Sequence, residues 1–506
     1  MREPETYARA ERDADLARWR EREKTALDLL QVAGELRFDR GVDLVLFRQQ
    51  VYDTRPSELL RAHTRGDAYT KRPVDVDLTL SIAYAVAELE ELRAAKIDIG
   101  RLAAEWIADS GGYANVDGFV RDRLRPHVVR AALAADAEQI DAGAGLHAPR
   151  GGRDVVLFGF GRIGRQLTRH LAAQMGRGDQ LRLRAVVVRP KLADRHLELT
   201  KRAALLASDS VHGQFHGMVE VAPDGSALVV NGNRVDVIAA DRPDGVDYEA
   251  YGIQDALLVD NTGVWRTREG LEQHLRPGIR SVLLTAPARD VPNIVVGIND
   301  ERYDWSQVRL ASAASCTTNG VAPVMKVLHA GFGIERAHIE TVHAYTSDQN
   351  LLDNFHRKPR RGRAAPLNMV LTSTGAAEAV ARVIPELDGR LTGNAVRVPV
   401  PNASLAILQV TFPQPTNRDE VNEVVRKASL RGPLCEQILF SESREFVSSN
   451  VVGRASTSIF DAPSTRVSTD GLSATVYVWY DNEYGYTCQV MRLAKRMAGV
   501  HRQRYI

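Results

Sequence analysis

The chain has 506 residues, of which 44% are hydrophobic and 26% charged, a balance typical of a globular protein with two to four domains. Its formal net charge of +2 gives no reason to expect a nucleic acid or a membrane surface as a partner. Three cysteines are too few for a disulfide framework and lack metal-ligand spacing, so no metal is expected. The charged N-terminus lacks the apolar core of a signal peptide, and no apolar run approaches the ~18 residues of a membrane helix. A cytoplasmic location is therefore expected.

Residues 1–150 are predicted to form a mostly helical extension without recognisable chemistry. Apolar residues recur at helical spacing over residues 78–97, and another such turn begins at 102–107. Residues 42–51 fit a strand or a helix equally well. Small residues at 141–145, followed by Pro149 and a glycine pair at 151–152, predict a linker. The favoured interpretation of this region is an accessory helical domain.

The pattern changes at Asp154, where an apolar strand leads through a glycine turn into an amphipathic helix. Gly159, Gly161 and Gly164 form a GxGxxG motif, whose glycines allow a tight turn and a close approach of backbone to a pyrophosphate. Alone the motif is weak, because glycine-rich turns are common. Here it follows a strand and opens a helix, and a second apolar strand follows at 181–188. This context predicts a dinucleotide site.

The residue that ends the second strand bears on the choice of cofactor. Folds that select NAD usually place an acidic residue there, to accept hydrogen bonds from the adenosine ribose. This chain has Arg189, which can pair with a 2′-phosphate. The alternative is an ordinary solvated arginine at a strand end. The position favours NADP.

Three further predicted strands, at 256–260, 281–284 and 308–311, lead to Cys316. This cysteine opens a helix-like segment, and the free N–H groups of a helix N-terminus favour a thiolate, the form that attacks carbonyls. The neighbouring hydroxyls of Ser315 and Thr317 are candidates to hold an oxyanion or a phosphate. A lone cysteine is more often a small buried thiol, but the polar residues on both sides argue against that here.

After the cysteine, His343 lies in an apolar strand. Alone it would be read as a core histidine, but beside a thiolate it is the natural general base. A cation-rich stretch at 357–363 then leads to Thr374 and Gly375, and Arg397 follows; together these residues suit two phosphate-sized anions. From residue 405 onward, alternating apolar runs predict an antiparallel sheet, and the chain is predicted to end in a helix at 489–497.

Six motifs, in this order along the chain, resemble phosphorylating glyceraldehyde-3-phosphate dehydrogenase of an N-terminally extended bacterial type: GFGRIGR, SAASCTTN, TVHAYT, STGAAEAV, IPELDGRLTGNAVRVPVP and WYDNEYGYT. The resemblance covers residues 153–506. It implies an α/β protein with a Rossmann NAD(P)-binding domain at 151–315, completed by a C-terminal helix at 483–506. It also implies an α+β catalytic domain with an antiparallel sheet at 316–482, preceded by the helical extension at 1–150.

The resemblance further implies roles for particular residues. Cys316 would be the nucleophile and His343 its base. The substrate-binding residues would be Ser315, Thr317, Thr346, Arg361, Thr374, Gly375 and Arg397, with Thr346 and Arg397 on the substrate's C3 phosphate and the others around inorganic phosphate. The cofactor-binding residues would be Gly159, Gly161, Arg162, Ile163, Gly164, Arg189, Arg242, Thr285, Asn354 and Asn482, with Asn482 at the nicotinamide amide.

The chain departs from the family's usual pattern at several positions, two of which concern the cofactor. Arg189 stands in place of the usual acidic residue, and Asp353-Asn354-Phe355 replaces a common Asp-Leu-Pro; both changes resemble NADP-using members. Phe158 and Gly320 also differ from the usual residues, but neither removes a catalytic group. The expectation is therefore an NADP-preferring, homotetrameric glyceraldehyde-3-phosphate dehydrogenase that also accepts NAD. The alternatives are an erythrose-4-phosphate dehydrogenase and a regulatory or interaction protein that uses the N-terminal extension.

Overall fold

The computed structural model describes residues 4–66, 72–92, 94–109, 112–143, 152–174, 180–500 and 503–505. The chain divides into an N-terminal unit (residues 1–152, 175–180 and 501–506) and a main unit (residues 153–174 and 181–500). Each unit has an apolar core of its own. Among the described residues, no helix is long and apolar enough to cross a membrane.

Five α-helices lie within the described residues of the N-terminal unit. They are α1 (Pro4–Arg40), α2 (Pro56–His63), α3 (Val76–Ala87), α4 (Ile99–Ala108) and α5 (Val116–Gly143). The helix predicted over 78–97 is therefore shorter, and Arg40 donates to the Val86 and Leu89 carbonyls near its C-terminus at 3.2 and 2.8 Å. Residues 141–143 of the predicted linker end α5, and residues 144–151 lie outside the described residues.

The N-terminal unit also contains a four-stranded sheet that the sequence did not predict. Strands β1 (Asp43–Leu46), β2 (Gln49–Gln50) and β3 (Ala95–Asp98) are joined by the last strand of the chain, Gln503–Tyr505, which pairs in parallel with β3. Phe47 and Arg48 turn the chain between β1 and β2 with φ of 46° and 69°. The Asp98 carboxylate accepts both of their N–H groups at 2.8 Å, which holds this turn. Residues 42–51 thus form a hairpin.

The first sheet of the main unit is doubly wound. The described strands of this part of the chain are β4 (Arg153–Phe158), β5 (Leu181–Val188), β6 (Ser208–Asp209), β7 (Gly213–Gln214), β8 (Val219–Val221), β9 (Ala227–Val230), β10 (Asn233–Ala239), β11 (Ala256–Asp260), β12 (Ile279–Leu284) and β13 (Leu310–Ser312). Eight of them form one sheet in the order β13-β12-β11-β4-β5-β10-β9-β8, and β6 pairs with β7. The six strands from β13 to β10 are parallel. This order places a ligand crevice beside β4, where the winding direction reverses.

Both faces of this sheet are buried, which explains its continuous apolar strands. Val155 and Leu157 of β4 belong to one core cluster, and Val156 and Phe158 belong to the cluster on the opposite face. The helices that accompany this sheet are α6 (Arg162–Ala173), α7 (Arg195–Ala207) and the short α8 (Arg268–Glu272). The Rossmann topology that the sequence predicted is confirmed.

The second sheet of the main unit follows α9 (Cys316–Phe332). Its strands are β14 (Arg336–Ala344), β15 (Val370–Thr372), β16 (Leu391–Val398), β17 (Ser404–Thr411), β18 (Ile438–Ser441), β19 (Ser458–Asp461), β20 (Arg466–Val467) and β21 (Ser473–Tyr480). The helices between them are α10 (Ala376–Val383), α11 (Arg418–Leu430) and α12 (Ser448–Val451). Most pairings are antiparallel, but β14 with β16 and β18 with β19 are parallel, so the sheet is mixed.

The last helix of the chain, α13, spans Tyr484–Met497. It is shorter than the predicted C-terminal helix at 483–506. Gly499, with φ of 68°, turns the backbone out of the helical conformation two residues after α13 ends. The chain then supplies the strand Gln503–Tyr505 to the sheet of the N-terminal unit. Val490, Leu493 and Ala494 of α13 pack in the same apolar cluster as β4.

Candidate active site

A strained turn places Cys316 at the start of α9. Strand β13 ends at Ser312, and the buried Ala314 then adopts φ of 56°, a conformation that costs a non-glycine residue free energy. Ser315 caps the helix because its Oγ accepts the Thr318 N–H at 3.0 Å. Asn319 donates to the carbonyls of Ala313 and Ser315 at 2.8 and 2.9 Å, which ties the turn to the first turn of α9. The thiol therefore starts the helix, as the sequence predicted.

His343 lies against this thiol. Its Nε2 is 3.5 Å from Cys316 Sγ, and its Nδ1 is 2.7 Å from the Ala344 carbonyl oxygen. Arg397 is the register partner of His343 in the parallel pair β14–β16. Its Nη1 lies 2.8 Å from His343 Nδ1 and donates to the Ala344 carbonyl at 2.7 Å. Two parallel strands and one helix thus bring a thiol, an imidazole and a guanidinium together.

Burial sets the protonation of this group. It lowers the pKa of His343 to about 3, with Arg397 acting in the same direction, so the imidazole is neutral at neutral pH. Burial also raises the pKa of the Cys316 thiol, against the lowering influence of Arg397 and of nearby N–H groups. The predicted preference for a resting thiolate is therefore opposed by burial. The arrangement is a thiol beside a neutral base, ready to lose its proton as it attacks.

Further cations lie beside this group. Arg361 donates from Nε to Thr372 Oγ1 at 3.0 Å and pairs with the Asp348 carboxylate, while Lys358 Nζ reaches Ser373 Oγ at 3.4 Å. The charge of Arg361 contributes to lowering the pKa of His343, of Arg397 and of Lys358. The positive charges of Arg361, Arg397 and Lys358 therefore act on the same region. Such a concentration of positive charge attracts anions.

The remaining predicted substrate residues follow β14 and β15 or flank the cysteine in the sequence. Gly375 is the N-cap of α10, and Thr374 Oγ1 accepts the Ala376 N–H at 3.1 Å. Thr346 is half-buried just after β14. The two hydroxyls beside the cysteine already have internal partners: Ser315 Oγ caps α9, and Thr317 Oγ1 lies 3.1 Å from Tyr480 Oη. Any anion at these hydroxyls must share them with those partners.

The GxGxxG turn lies at the predicted crevice. Gly159 has φ of 103°, and a Cβ there would meet Thr262 at 3.1 Å. A Cβ on Gly164 would lie 2.5 Å from the Gly159 carbonyl oxygen, whereas Gly161 has open space at that position. Gly161 is also the N-cap of α6, so unpaired N–H groups of the first turn are available to an anion. Ile163 in that turn packs against the core.

Beside this turn lies a cleft of about 660 Å³. Five cations and two carboxylates line it: Arg165, Arg189, Lys191, Lys201, Arg202, Glu198 and Asp241. Its remaining wall includes apolar side chains such as Val188, Leu192 and Trp265. An apolar cleft with an excess of cations at the turn of a doubly wound sheet fits a dinucleotide that carries phosphates.

Three other predicted cofactor residues, Arg162, Thr285 and Asn482, already have polar partners within the protein. The Arg162 guanidinium is held by Asp209 and Glu483, which raise the pKa of Arg162, so this side chain is committed to an internal network. Thr285 Oγ1 donates to the Asp260 carbonyl at 3.1 Å, and the buried Asn482 accepts from Ser404 Oγ at 3.0 Å.

Of the ten predicted cofactor residues, Gly159, Gly161 and Arg189 line this cleft and the other seven do not. Two of those seven are exposed and hydrogen-bonded to near neighbours in the sequence. The exposed Arg242 pairs with Asp244 at 3.1 Å. Asn354 lies on an exposed loop, where its Oδ1 accepts the Phe355 N–H at 2.7 Å. Neither Arg242 nor Asn354 therefore lines the cleft of its own chain.

Sequence reasoning missed several residues that shape both sites. Tyr480 Oη bridges Thr317 and Thr341 and its ring contacts His343 edge to face, with centroids 5.9 Å apart. Asp348 pairs with Arg361, and Lys201 lines the cleft from α7. No spacing signal marks these positions. Of these missed residues, only Tyr480 lies in one of the six motifs, WYDNEYGYT.

Comparison with known proteins agrees with this architecture. The family model for the NAD binding domain of glyceraldehyde 3-phosphate dehydrogenase matches residues 153–268, and the model for the C-terminal domain of the same enzyme matches residues 315–482. A glyceraldehyde-3-phosphate dehydrogenase-like protein of Pseudomonas aeruginosa is 47% identical over 430 residues, covering 85% of this chain and 88% of its own. That match is longer than residues 153–506, so it extends into the N-terminal unit.

Two other relatives match the main part of the chain. Glyceraldehyde-3-phosphate dehydrogenase 2 of Trichormus variabilis and glyceraldehyde-3-phosphate dehydrogenase 1 of Bacillus subtilis are each 40% identical over 345 residues, which is 68% of this chain and 98% of theirs. The two family models together span more than half of the sequence, with the candidate thiol and base inside the second. The chain therefore belongs to the glyceraldehyde-3-phosphate dehydrogenase family, whose members are NAD(P)-dependent phosphorylating oxidoreductases.

Proposed function

We propose that this protein oxidises glyceraldehyde 3-phosphate to 1,3-bisphosphoglycerate, reversibly, through a thioester on Cys316, with a preference for NADP. The observation that carries the proposal is the contact of Cys316 Sγ with His343 Nε2 at 3.5 Å, beside Arg397. A nucleophile, a base within reach and fixed cations for phosphate are the parts that such a reaction requires.

The residues of the crevice fit a nicotinamide dinucleotide. Gly161 leaves open space where a side chain would block a pyrophosphate, and the N–H groups of the first turn of α6 can receive that anion. Thr285 and Asn482, with Asn482 on the nicotinamide amide, are the proposed contacts at the other end. When bound, the dinucleotide supplies the two-electron oxidant of the reaction.

The chemistry of the chain's own residues begins with the thiol. In the tautomer with its proton on Nδ1, His343 donates to the Ala344 carbonyl and presents the Nε2 lone pair to Cys316 Sγ. As Sγ bonds to the aldehyde carbon, the thiol proton passes to Nε2 and from Nε2 to the carbonyl oxygen, which gives a thiohemiacetal and leaves the imidazole neutral. His343 then removes the hydroxyl proton of that intermediate as the carbon is oxidised to the thioester.

The thioester is resolved by inorganic phosphate. An oxygen of the phosphate attacks the thioester carbon, the C–S bond breaks, and the sulfur takes the proton that His343 Nε2 received in the oxidation step. Arg361, Thr374 and Gly375, with the Ser315 and Thr317 hydroxyls, are the proposed groups around this phosphate. Arg397 and Thr346 are proposed to hold the phosphate that the substrate carries on C3. Guanidinium groups suit this role because they bind phosphate through paired N–H donors.

The preference for NADP rests on the rim of the cleft. Arg189 directly follows β5, where a family member selective for NAD would place a carboxylate, and its exposed side chain lines the cleft. The carboxylate of Glu198 in the same cleft is paired with Arg202, so it offers no free charge to repel a 2′-phosphate. NAD remains usable, because the contacts to the pyrophosphate and nicotinamide are common to both cofactors.

A homotetramer is proposed as the working form. The segment that follows β14 exposes six large apolar side chains, each more than half accessible: Leu351, Leu352, Phe355, Leu367, Met369 and Leu371. Apolar patches of this kind mark interaction surfaces. A second copy of the chain is the proposed cover, which would also place Asn354 near a neighbouring cleft. Light scattering on the purified protein tests the assembly, and a monomer would contradict it.

One kinetic experiment separates the candidate functions. Initial rates are measured on glyceraldehyde 3-phosphate and on erythrose 4-phosphate, each with NAD and NADP, and each with and without inorganic phosphate. The proposal expects the highest kcat/KM for glyceraldehyde 3-phosphate with NADP and a requirement for phosphate. A higher value for erythrose 4-phosphate would assign the alternative substrate. Absence of turnover on both would favour an interaction protein that uses its N-terminal unit.

A further inference from the structure

The rim of the dinucleotide cleft carries more positive charge than Arg189 alone supplies. Three exposed cations line it, from three consecutive parts of the chain: Arg189 at the end of β5, Lys191 in the following loop, and Lys201 on α7. None of the ion pairs found among the described residues uses these three side chains, whereas Arg202, on the same helix, is paired with Glu198. Their charge is therefore available to a ligand in the cleft.

Hydrogen bonds made by Glu198 and Arg202 fix the loop that carries these cations. Glu198 Oε2 accepts the N–H groups of Lys191 and Leu192 at 3.3 and 3.4 Å, and its Oε1 accepts Arg202 Nε at 3.0 Å. Arg202 also donates to the Arg189 carbonyl at 3.1 Å. Burial alone would raise the pKa of Glu198, but Arg202 and the two N–H groups outweigh it and hold that pKa below its usual value. The Glu198 carboxylate is thus paired with Arg202 and holds the loop at residues 191 and 192.

The pairing of Glu198 with Arg202 determines which cations of the cleft remain unpaired. The Glu198 carboxylate pairs with Arg202, so the charge of Arg202 is neutralised within the protein. The same carboxylate holds the start of the loop against α7. Lys201 follows Glu198 by three residues, so both project from neighbouring positions on one face of the helix. Arg189, Lys191 and Lys201 all line this one cleft. A phosphate monoester carries close to two negative charges at neutral pH and several acceptor oxygens, so it can engage several cations at once.

We propose that Lys201, together with Lys191, completes a three-cation site for the 2′-phosphate of NADP, in which Arg189 supplies the first cation and the Glu198–Arg202 pair holds the loop in place. This inference rests on the NADP preference proposed above and names residues that deepen it. The ligand class is a nucleotide with a phosphate monoester on the adenosine ribose. Binding of adenosine itself uses the apolar wall of the cleft and does not require these lysines.

The test measures binding of two cofactor fragments to the full-length protein by titration calorimetry. The probes are 2′,5′-ADP, which carries the 2′-phosphate, and 5′-AMP, which lacks it. The wild-type protein is expected to bind 2′,5′-ADP at least tenfold more tightly. Lys201→Gln is expected to weaken 2′,5′-ADP by about three- to tenfold, the scale of one partly exposed charge-assisted contact, and to leave 5′-AMP unchanged. Lys191→Gln should act in the same direction, and the advantage of 2′,5′-ADP should fall with added salt.

The control is Lys427→Gln, which removes a lysine whose side chain is 71% exposed on α11, outside the cleft. It should change neither affinity. Equal weakening of both fragments by Lys201→Gln, or no change in their ratio, would overturn the proposal. This test is independent of the proposed substrate. A protein that oxidises another aldehyde would still bind 2′,5′-ADP more tightly than 5′-AMP, and this difference would still depend on Lys201. A wild-type ratio near one would overturn this site and the NADP preference together, while turnover with NAD would leave the catalytic proposal standing.

Discussion

The burial of His343 predicts a specific loss of stability in acid. The side chain is 5% exposed, and its pKa lies at about 3, against an ordinary value of 6.5. Above pH ~7 the ring is neutral in both the folded and the unfolded chain, so it contributes no pH dependence. Below 6.5 the unfolded chain binds a proton that the folded protein does not. The free energy of unfolding therefore falls as pH drops from 6.5 toward 3.

The size of the effect follows from the two pKa values. Each pH unit in this window changes the free energy of unfolding by about 1.4 kcal/mol, so the contribution of His343 at pH 5 is a loss of roughly 2 kcal/mol. His343→Asn removes the titrating group while keeping a polar side chain of similar size. Wild type should therefore lose roughly 2 kcal/mol more than the variant between pH 7.5 and pH 5.

Urea unfolding at the two pH values, followed by tryptophan fluorescence, measures this difference. His196→Asn serves as the control, since His196 is exposed on α7, and it should follow wild type at both pH values. The comparison between variants isolates His343 from other buried groups, including His170, whose pKa burial lowers to about 4. Parallel losses in wild type and His343→Asn would refute the reasoning, because the imidazole would then titrate equally in the folded and unfolded states.

Three further predictions concern the proposed reaction. Cys316→Ser should abolish turnover but retain dinucleotide binding by calorimetry, since an alcohol is a far poorer nucleophile at neutral pH; near-normal rates would remove Cys316 from the mechanism. Arg397→Leu should reduce kcat/KM for glyceraldehyde 3-phosphate by roughly ten- to a hundredfold and that for unphosphorylated glyceraldehyde much less, and equal losses would indicate a structural role. Arg189→Asp should reverse the preference from NADP to NAD in KM, whereas an unchanged ratio would make Arg189 a surface residue.

Features encoded by neighbouring residues could be predicted from the sequence. The strand, glycine turn and helix around Gly159 are local, and so is the capping of α9 by Ser315 next to Cys316. The contact between His343 and Arg397 is different, because 53 residues lie between them in the sequence. They meet through the parallel register of β14 and β16, and no periodicity in either strand specifies that partner.

Burial and tertiary pairing account for what the sequence reasoning missed. A helix N-terminus next to Cys316 predicted a low pKa, but the cost of burying a thiolate cannot be judged without the surrounding packing. In the N-terminal unit, β3 has only four residues and follows a helical pattern closely, so the helical spacing over residues 78–97 extends into it. Its outer partner comes from residues 503–505, far away in the sequence.

This last pairing changes what a truncation should do. Removing only residues 1–150 would leave the strand Gln503–Tyr505 without its partner β3. Tyr505 would also lose two contacts: the Arg101 guanidinium, 4.5 Å from the tyrosine ring, and Glu105, to which the tyrosine hydroxyl donates. A protein of residues 153–500 avoids that exposed strand and should keep kcat and KM on glyceraldehyde 3-phosphate. Deleting residues 501–506 alone should instead lower the thermal stability of the N-terminal unit and leave kcat unchanged, because the strand completes that unit's sheet. An insoluble or inactive 153–500 protein would mean that the N-terminal unit completes the fold or the oligomer of the main unit.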